Sequence, residues 1–385
     1  MCNKKNKKRI HLVQVIGQLK HGGAEHLVVD LCQRINKKNF KVTLLVVGEY
    51  KKSEPILINR LKESKVKVIF LGKPIGRERI KIICKLYNTL KRLKPDIVHS
   101  HLEINSIYCA LISYLFKKPI YIQTIHSTKL YYKYLTRFFL NRFKITIAIS
   151  DEVKKSILEK YKCKKEKIVT IYNGVDIDKF SPIGPLSNKL LSLTRDQKCF
   201  KLVIVGRLTK AKGHKILINA LKLIEDKIDF VLFVIGEGEL REDLLNLTKN
   251  LNLDDRIIFM GNQNDIASIL RTCDIFILPS LWEGLSVALL EAVSTGIPVV
   301  ATDVGSNKKV LESSRIQYKI VQPNSSEAIA NGIIDIINSF DKSKKNHLSD
   351  YRDKKETYLY LNKKYSMDNF INKHEELYEI LLYNH

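Results

Sequence analysis

Two basic residues follow an apolar run in the middle of the chain. Arg207 and Lys212 come just after Leu202–Val205, in the stretch Gly206-Arg-Leu-Thr-Lys-Ala-Lys-Gly. An arginine fork and a lysine ammonium placed past a strand end could together bind a diphosphate. Taken alone, the two residues are explained equally well as ordinary side chains in contact with solvent.

A second polar group follows another apolar run, Ile275–Pro279. Ser286 suits the N-cap of a helix predicted to begin at Val287. Glu291 would then lie roughly 7 Å along that helix, at about 1.5 Å per residue, while Glu283 precedes it. Two carboxylates beside helix N–H donors suit a ligand with a sugar, a diphosphate and a second sugar. A structural role for Glu291 in a buried helix is the alternative.

Adjacent glycines occur near the start, in Lys20-His-Gly-Gly-Ala-Glu, between the first predicted strand and the first predicted helix. Gly22 and Gly23 would let backbone N–H groups approach an anion at the helix N-terminus. An ordinary turn is the alternative. The spacing is not the dinucleotide fingerprint, which requires three separated glycines.

Strand-like and helix-like patterns alternate along both halves of the chain. The strand runs are rich in Val and Ile, as in parallel sheets covered by helices on both faces. The predicted strands are Ile10–Ile16, Lys41–Val47, Val66–Leu71, Ile97–His101, Ile120–Thr124, Ile145–Ile149 and Ile168–Ile171, then Leu202–Val205, Phe230–Ile235, Ile257–Met260, Ile275–Pro279 and Pro298–Thr302. Helices are predicted at Ala24–Ile35, Asp151–Lys160, Lys212–Leu223, Leu240–Leu251 and Val287–Ser294. The pattern predicts an α/β protein of two doubly wound domains.

The boundary between the halves is predicted in Phe180-Ser-Pro-Ile-Gly-Pro, where Pro182 and Pro185 prevent a continuous helix. We assign 1–180 to the N-terminal domain, 181–198 to a linker and 199–364 to the C-terminal domain. Residues 365–385 are predicted to form a helix with no sheet of its own to join.

The composition is strongly basic: 66 Lys and Arg stand against 40 Asp and Glu, a net charge of +26 in 385 residues. Such a charge suggests an anionic partner, although a general lysine bias explains it equally well. The seven cysteines are scattered, which suggests reduced thiols in the cytoplasm. No apolar run approaches the roughly 20 residues of a membrane span.

Taken together, these stretches resemble the retaining nucleotide-sugar glycosyltransferases of family 4, also called glycosyltransferase group 1. The resemblance extends over nearly the whole chain. It also rests on the Thr124-Ile-His126 strand end, Ala148-Ile-Ser150, Tyr172-Asn-Gly-Val-Asp176, Gly236-Glu-Gly-Glu, Phe259-Met-Gly261, the two glutamates of Glu283–Glu291, and Thr295-Gly-Ile-Pro-Val-Val-Ala.

The family implies the GT-B architecture, in which two Rossmann-like domains face each other across a cleft. By resemblance, the N-terminal domain binds the acceptor and the C-terminal domain binds the nucleotide-sugar. The C-terminal helix is expected to pack back toward the N-terminal domain.

The resemblance also assigns roles to individual residues. Arg207 and Lys212, after Gly206, match the pair that neutralises the donor diphosphate, and Glu291 matches the carboxylate that binds ribose. Glu283 matches the carboxylate near the transferred sugar. The remaining matches are the backbone N–H groups of Leu285, Ser286 and Val287 beside the sugar and phosphate, Gly22 and Gly23 over the diphosphate, and His126 at the sugar.

Two sequences could suggest metal binding. Asp176-Ile-Asp178 is a D-x-D sequence, and His99 and His101 would share one strand face and could ligate zinc, although no carboxylate or cysteine partner is evident. We expect no metal and no cofactor, because two fixed cations can stabilise a departing diphosphate instead.

The stretch from Leu130 to Lys144 combines aromatic residues with Lys133, Arg137, Arg142 and Lys144. Such a helix suits peripheral binding to an anionic membrane, and a core helix with a basic outer face is the alternative. Because many family members use lipid-linked acceptors, we expect the protein to act at the cytoplasmic face of the membrane, in the synthesis of cell-surface polysaccharide.

Two other classes compete with a transferase. A GT-B sugar-nucleotide epimerase would share the diphosphate site. A nucleic-acid-binding protein would explain the charge but leave the two glutamates and the glycine loops unexplained. The donor we expect is a UDP-linked hexose or N-acetylhexosamine, with GDP-mannose second, and we expect no nucleic acid partner.

Overall fold

The computed structural model describes residues 9–73, 78–193, 199–340 and 351–383, without the side chains of 133 and 351–355. The basic N-terminal residues 1–8, residues 194–198 of the predicted linker and the last two residues of the predicted C-terminal helix lie outside this range.

The described residues form 13 strands and 15 α-helices. The strands are β1 (Ile10–Ile16), β2 (Phe40–Val46), β3 (Lys67–Phe70), β4 (Ile97–His101), β5 (Ile120–Ile125), β6 (Ile145–Ala148), β7 (Ile168–Thr170), β8 (Phe200–Val205), β9 (Phe230–Ile235), β10 (Ile257–Gly261), β11 (Ile275–Leu278), β12 (Val299–Thr302) and β13 (Tyr318–Val321). The helices are α1 (Gly23–Arg34), α2 (Pro55–Glu63), α3 (Arg79–Leu93), α4 (Glu103–Leu115), α5 (Lys133–Leu140), α6 (Asp151–Tyr161), α7 (Asn188–Leu193), α8 (His214–Lys222), α9 (Arg241–Asn250), α10 (Ile266–Thr272), α11 (Val287–Thr295), α12 (Asn307–Glu312), α13 (Ser326–Ser339), α14 (Tyr351–Tyr365) and α15 (Met367–Tyr383).

The strands form two parallel sheets. The first has the order β3-β2-β1-β4-β5-β6-β7, and the second has the order β10-β9-β8-β11-β12-β13. In each sheet the chain starts in the middle, builds one edge and then crosses back to build the other. The strand order therefore reverses between β1 and β4 in the first sheet and between β8 and β11 in the second. Open sheets of this kind bind ligands at such switch points, outside the carboxyl ends of the strands.

The strands are apolar along their whole length because both faces are covered. All six residues of β9 and all four of β11 are buried. On one face of the second sheet, alternate residues of these strands pack with α8 and α13 residues such as Leu217 and Ile333 in one core cluster. Continuous burial leaves the loops at the strand ends as the places where polar residues can act.

The chain divides into two compact units, Met1–Asn173 with Phe370–His385, and Gly174–Asn369. The predicted linker lies within the second unit and contains α7. Arg271 donates from its guanidinium to the carbonyls of Lys179, Ser181 and Pro185, which holds this segment against α10.

Two helices, α14 and α15, end the described chain, and α15 corresponds to the helix predicted over 365–385. α14 ends at Tyr365, and Ser366 makes a bridge with Val175 before α15 begins. Phe370, Ile371, His374, Tyr378 and Leu381 of α15 are buried, at the spacing of one helix face. From Phe370 onward this helix belongs to the first unit.

All twelve predicted strands match observed ones to within two residues at each end, and β1, β4 and β9 match in both bounds. The prediction omitted β13, the edge strand Tyr318–Val321. Its residues are half-buried or exposed, and Lys319 interrupts the apolar pattern. Among the described residues, no helix has the length and apolar character needed to cross a bilayer.

Candidate functional site

Two neighbouring loops of the second unit carry most of the predicted donor-site residues. Arg207 and Lys212 lie in the loop after β8, and Glu283 lies in the loop after β11. These two strands are adjacent at the point where the strand order reverses. The structure therefore brings together residues separated by 71 positions in the sequence.

A close backbone contact holds the two loops together. Gly213 has a φ of +71°, and a Cβ there would lie 2.0 Å from the carbonyl oxygen of Pro279. Only glycine allows this approach and this conformation without displacing the backbone. A hydrogen bond from Leu281 N to the carbonyl of Ala211, at 2.8 Å, adds a second link.

Lys212 and Glu283 form an ion pair across the two loops. Lys212 Nζ lies 2.5 Å from Glu283 Oε1, and the side chains are only 23% and 11% exposed. Ser280 Oγ donates to the same carboxylate oxygen at 2.9 Å. Because charge-assisted hydrogen bonds in a partly buried place are strong, this pair fixes the lysine ammonium before any ligand arrives.

Gly206 and Gly236 shape the backbone beneath this pair. The aliphatic stem of Lys212 packs on Gly206, where a Cβ would lie 3.4 Å from the lysine Cδ. Gly236 has a φ of +131°, and a Cβ there would lie 2.2 Å from the carbonyl oxygen of Gly206. Arg207, directly after Gly206, is exposed. The loop thus combines a fixed lysine with an arginine at the surface.

Helix α11 begins directly after the loop that carries Glu283. Ser286 is its N-cap and its hydroxyl accepts from Leu289 N at 3.3 Å, as predicted from the residue type. Leu285 and Ser286 are buried, whereas Val287 and Glu291 are half-buried. The N-terminus of α11 therefore lies beside the Lys212–Glu283 pair, and its positive end favours an anion there.

In the first unit, the adjacent glycines begin a helix. Gly22 is the N-cap of α1 and makes no side-chain cap, and Gly23 is the first helical residue. The helix follows β1 at the switch point of the first sheet. A helix N-terminus at this place can bind an anion, and anion binding by Gly22 and Gly23 stays a prediction.

His126 follows β5 at the carboxyl edge of the same sheet, half-buried. Its Nε2 lies 3.4 Å from Nδ1 of His101. Burial, with a smaller contribution from His374, lowers the pKa of His126 from 6.5 to about 4. The imidazole is therefore neutral at physiological pH, a polar group rather than a cation.

The segment predicted to contact membranes contains the short helix α5, and Glu103 holds its start. The Glu103 carboxylate accepts from Tyr131 N at 2.8 Å, Tyr132 N at 2.7 Å and Thr136 Oγ1 at 2.5 Å. The N-cap residue Tyr132 makes no side-chain cap of its own. A carboxylate from α4 therefore takes the capping role, where it also favours the positive end of the helix.

Helix α5 and its flanks have two different faces. Tyr131, Tyr134 and Phe138 are exposed by 76%, 83% and 71%. Beneath the helix lies a mostly apolar cavity of about 270 Å³, with Phe139 and Phe143 in its wall and with His126 and Glu103 as polar lining groups. The segment is thus partly core and partly an exposed aromatic surface, and its binding to a membrane stays a prediction.

The four basic residues of this segment differ in their surroundings. Arg137 and Lys144 are exposed. Arg142 donates to the hydroxyl and the carbonyl of Ser113 and lies 4.3 Å above the Tyr114 ring, so its guanidinium serves the packing of α4. The side chain of Lys133 lies outside the described part of the structure. Arg137 and Lys144 are therefore the two cations best placed to meet an anionic surface.

The sequences that could suggest a metal have other partners. Asp176 Oδ1 accepts from Lys179 N within its own turn. The ring nitrogens of His99 contact Tyr378 Oη at 2.8 Å and Thr124 Oγ1 at 2.7 Å. Within the described ranges, no group of three or more His, Cys, Asp or Glu side chains has an arrangement that could hold a metal ion.

The prediction from sequence missed three residues at these sites. Ser280 lies three positions before Glu283, but a serine before a glutamate gives no sign that they bond. Glu103 and Tyr378 lie in helices that are distant in sequence from the residues they contact. Their contacts arise only in the folded chain, where α4 begins beside α5 and α15 packs on the first sheet.

Comparisons with known proteins agree with the fold. A family model described as "Glycosyl transferases group 1" matches residues 191–355, and one described as "Glycosyltransferase Family 4" matches residues 21–179. The UDP-Gal:alpha-D-GlcNAc-diphosphoundecaprenol alpha-1,3-galactosyltransferase of Escherichia coli is 33% identical over 272 residues, which cover 66% of this chain and 70% of that protein.

Two further proteins are similar. A Campylobacter jejuni transferase, named N-acetylgalactosamine-N,N'-diacetylbacillosaminyl-diphospho-undecaprenol 4-alpha-N-acetylgalactosaminyltransferase, is 31% identical over 155 residues, 40% of each chain. The structure of Anabaena HepE in complex with UDP and glucose superposes with a TM-score of 0.79 at 19% identity, covering 96% of this chain and 100% of that one.

Two Rossmann-like domains with these matches define a glycosyltransferase of the GT-B fold. The chain belongs to the group 1, or family 4, glycosyltransferases, as the resemblance of its motifs predicted.

Proposed function

We propose that the chain is a retaining, metal-independent transferase that moves a hexose or N-acetylhexosamine from a UDP-sugar to a glycan or lipid-linked acceptor. The observation that carries this proposal is the Lys212–Glu283 pair at the switch point of the second sheet, with Arg207 in the same loop. A lysine ammonium held in place by Glu283, with an arginine in the same loop, suits a departing diphosphate, whose negative charge grows as the sugar–phosphate bond breaks.

The donor class is supported by the relatives. The Escherichia coli protein carries UDP-Gal in its name, and HepE was solved with UDP and glucose. In our proposal Glu291 binds the ribose, and Glu283 meets the transferred sugar together with His126. Gly22 and Gly23 contact the diphosphate through their backbone N–H groups.

The acceptor class is supported by two independent observations. The Escherichia coli and Campylobacter jejuni relatives are named for diphospho-undecaprenol-linked acceptors. In this chain, Tyr131 lines an apolar cavity beneath α5, and Tyr134 and Phe138 of the same segment are exposed. We therefore propose that the acceptor carries a lipid and that the enzyme works peripherally at the cytoplasmic face of the membrane.

The proposal is tested first by ligand binding and then by turnover. A thermal-shift panel of UDP-glucose, UDP-galactose, UDP-GlcNAc, UDP-GalNAc and GDP-mannose should show stabilisation by a UDP-sugar. With that donor and a polyprenyl-diphosphate-linked sugar, free UDP and an extended glycolipid should form, including in the presence of EDTA. An isomerised sugar nucleotide would mean an epimerase instead. If EDTA abolished activity and Mn²⁺ restored it, the proposed metal independence would be wrong. Asp176 and Asp178 would then be the candidate metal ligands.

The two glutamates should affect different steps. Glu291→Gln should weaken binding of bare UDP by about tenfold, because a charge-assisted hydrogen bond to ribose is lost. Glu283→Gln retains an oxygen for Ser280 and Lys212, so UDP affinity should change little while sugar transfer falls. Titration calorimetry with UDP measures the first effect, and product formation measures the second. Equal losses of UDP affinity in both variants would mean that the roles are wrongly divided.

Membrane binding should depend on the exposed face of α5. We expect binding to vesicles rich in anionic lipid, weaker binding to neutral ones, and release by salt. The variant Arg137→Gln/Lys144→Gln should bind less, because each cation near an anionic surface contributes on the order of 1 kcal/mol. Arg142 is excluded from the variant because its removal would disturb packing against Ser113.

A matched control changes the same charge elsewhere in the first unit. Lys117→Gln/Lys118→Gln removes two exposed lysines at the end of α4. Co-sedimentation should separate the two double variants clearly. If both bind vesicles equally well, net charge alone accounts for the attraction and α5 is not the contact surface.

A further inference from the structure

A chain of buried polar side chains connects the C-terminal helix with His126. Gln14 Nε2 donates to Tyr378 Oη at 3.0 Å, and Gln14 Oε1 lies 2.7 Å from Nε2 of His101. Nδ1 of His101 then lies 3.4 Å from Nε2 of His126. Gln14, His101 and Tyr378 are each at most 2% exposed. The chain therefore runs through β1, β4 and α15 largely without contact with water.

This arrangement defines which ring nitrogens carry protons. The amide oxygen of Gln14 can only accept, so His101 must carry its proton on Nε2. Nδ1 of His101 then carries no proton and can only accept a hydrogen bond. The hydrogen bond to it must come from Nε2–H of His126, which leaves Nδ1 of His126 as an acceptor.

Tyr378 continues the chain of hydrogen bonds on the other side of Gln14. Its hydroxyl accepts from Gln14 and therefore donates to Nδ1 of His99, 2.8 Å away. Nε2–H of His99 then donates to Thr124 Oγ1 at 2.7 Å. Turning the Gln14 amide over would require every one of these donors and acceptors to reverse together. Because the hydrogen bonds are coupled in this way, the whole network has one of two opposite sets of donors and acceptors.

We infer that Gln14 and Tyr378 are positioning residues, which act through His101 to hold His126 in its Nε2–H tautomer. His126 then offers an unprotonated Nδ1 that accepts a hydrogen bond from a substrate hydroxyl. The inference rests on the proposed function only in its last step, the contact between His126 and the sugar. It gives α15 a part in the chemistry of the first unit beyond covering the sheet.

The test reads the tautomer directly. In protein with ¹⁵N-labelled histidine, long-range ¹H–¹⁵N spectra should show His126 as the Nε2–H form, with the signal assigned by its loss in His126→Gln. Gln14→Leu removes the acceptor for His101, so His126 should shift to a mixture of tautomers. Tyr378→Phe keeps the ring packing but removes the hydroxyl, and it should shift the same signals if Gln14→Leu does not fold.

The matched control breaks a buried hydrogen bond of the same sheet that is not part of the chain. Thr146→Val removes the partner of Gln123 Nε2, 3.1 Å away, and should leave the His126 tautomer unchanged. An unaltered Nε2–H signal in both network variants, or an Nδ1–H form in the parent protein, would overturn the inference.

Activity distinguishes this inference from the proposed function. Release of UDP from the UDP-sugar found in the binding panel should fall at least about tenfold in Gln14→Leu, and it should not fall in Thr146→Val. Affinity for bare UDP should be equal in all three proteins. A changed tautomer with unchanged turnover would uphold the positioning chain and overturn the proposed contact between His126 and the sugar.

Discussion

Lys212→Ala and Arg207→Ala should each lower kcat/KM for sugar transfer by about two decades or more, equivalent to about 3 kcal/mol. The physical reason is that both cations are proposed to stabilise negative charge that develops on the diphosphate as the sugar leaves. Lys212 is held in place by Glu283 at 2.5 Å and by its packing over Gly206. Because the lysine is already ordered, little reorganisation is needed when the charge appears.

Initial rates of UDP release at several donor concentrations measure this effect. Lys210→Ala is the matched control, because Lys210 lies in the same loop and is exposed. Its removal changes the net charge equally and should leave kcat/KM almost unchanged. Near-normal turnover in folded Lys212→Ala would remove the lysine from the mechanism. Equal losses in Lys210→Ala and Lys212→Ala would point to general electrostatic attraction of the donor.

The stability of the first unit should fall steeply as the pH drops from about 6.5 toward 4. Burial lowers the pKa of His126 and of His374 to about 4, and it lowers the pKa of His99 and His101 well below 6.5. The unfolded chain therefore binds more protons than the folded unit in this pH range. The stabilisation is complete above about 6.5 and is lost as the pH falls.

The expected size is large for one cluster of side chains. For His374, which is 1% exposed, a pKa lowered from 6.5 to about 4 corresponds to about 3 kcal/mol. The slope of the free energy of unfolding against pH is proportional to the number of protons taken up on unfolding. His374→Phe should therefore lower that number by about one and make the slope shallower. An unchanged slope in this variant would show that His374 does not take up a proton on unfolding.

Urea unfolding at pH 7.5 and pH 5 measures both units separately. The single tryptophan, Trp282, belongs to the second unit, so its fluorescence follows that unit, while circular dichroism follows both. The second unit has its own buried histidine, His214, whose pKa burial lowers to about 4. His214→Phe should change the pH dependence of the second unit's transition, which fluorescence reports, and leave that of the first unit unchanged. A first unit that keeps its full stability at pH 5 would contradict the prediction.

The sequence alone determined the class of fold and the family. Runs such as Phe230–Ile235 are apolar on both faces, which only a covered parallel sheet requires, and the order of the loop motifs is specific to one family. Residue types also predicted local features correctly, as with Ser286 at the start of α11, because an N-cap depends on residues only three positions away. Such features depend on composition or on residues that are close together in the sequence, so the sequence is enough to predict them.

The tertiary structure alone decided which side chains meet. Lys212 and Glu283 pair because β8 and β11 are neighbours, and Glu103 caps α5 because α4 begins beside it. Tyr378 contacts Gln14 across 364 positions only because α15 packs on the first sheet. In each case a contact depends on strand order and helix packing, and no local pattern in the chain encodes the distance between two loops. Arg142 illustrates the same limit, since its basic side chain, predicted to meet a membrane, instead packs against Ser113 and Tyr114.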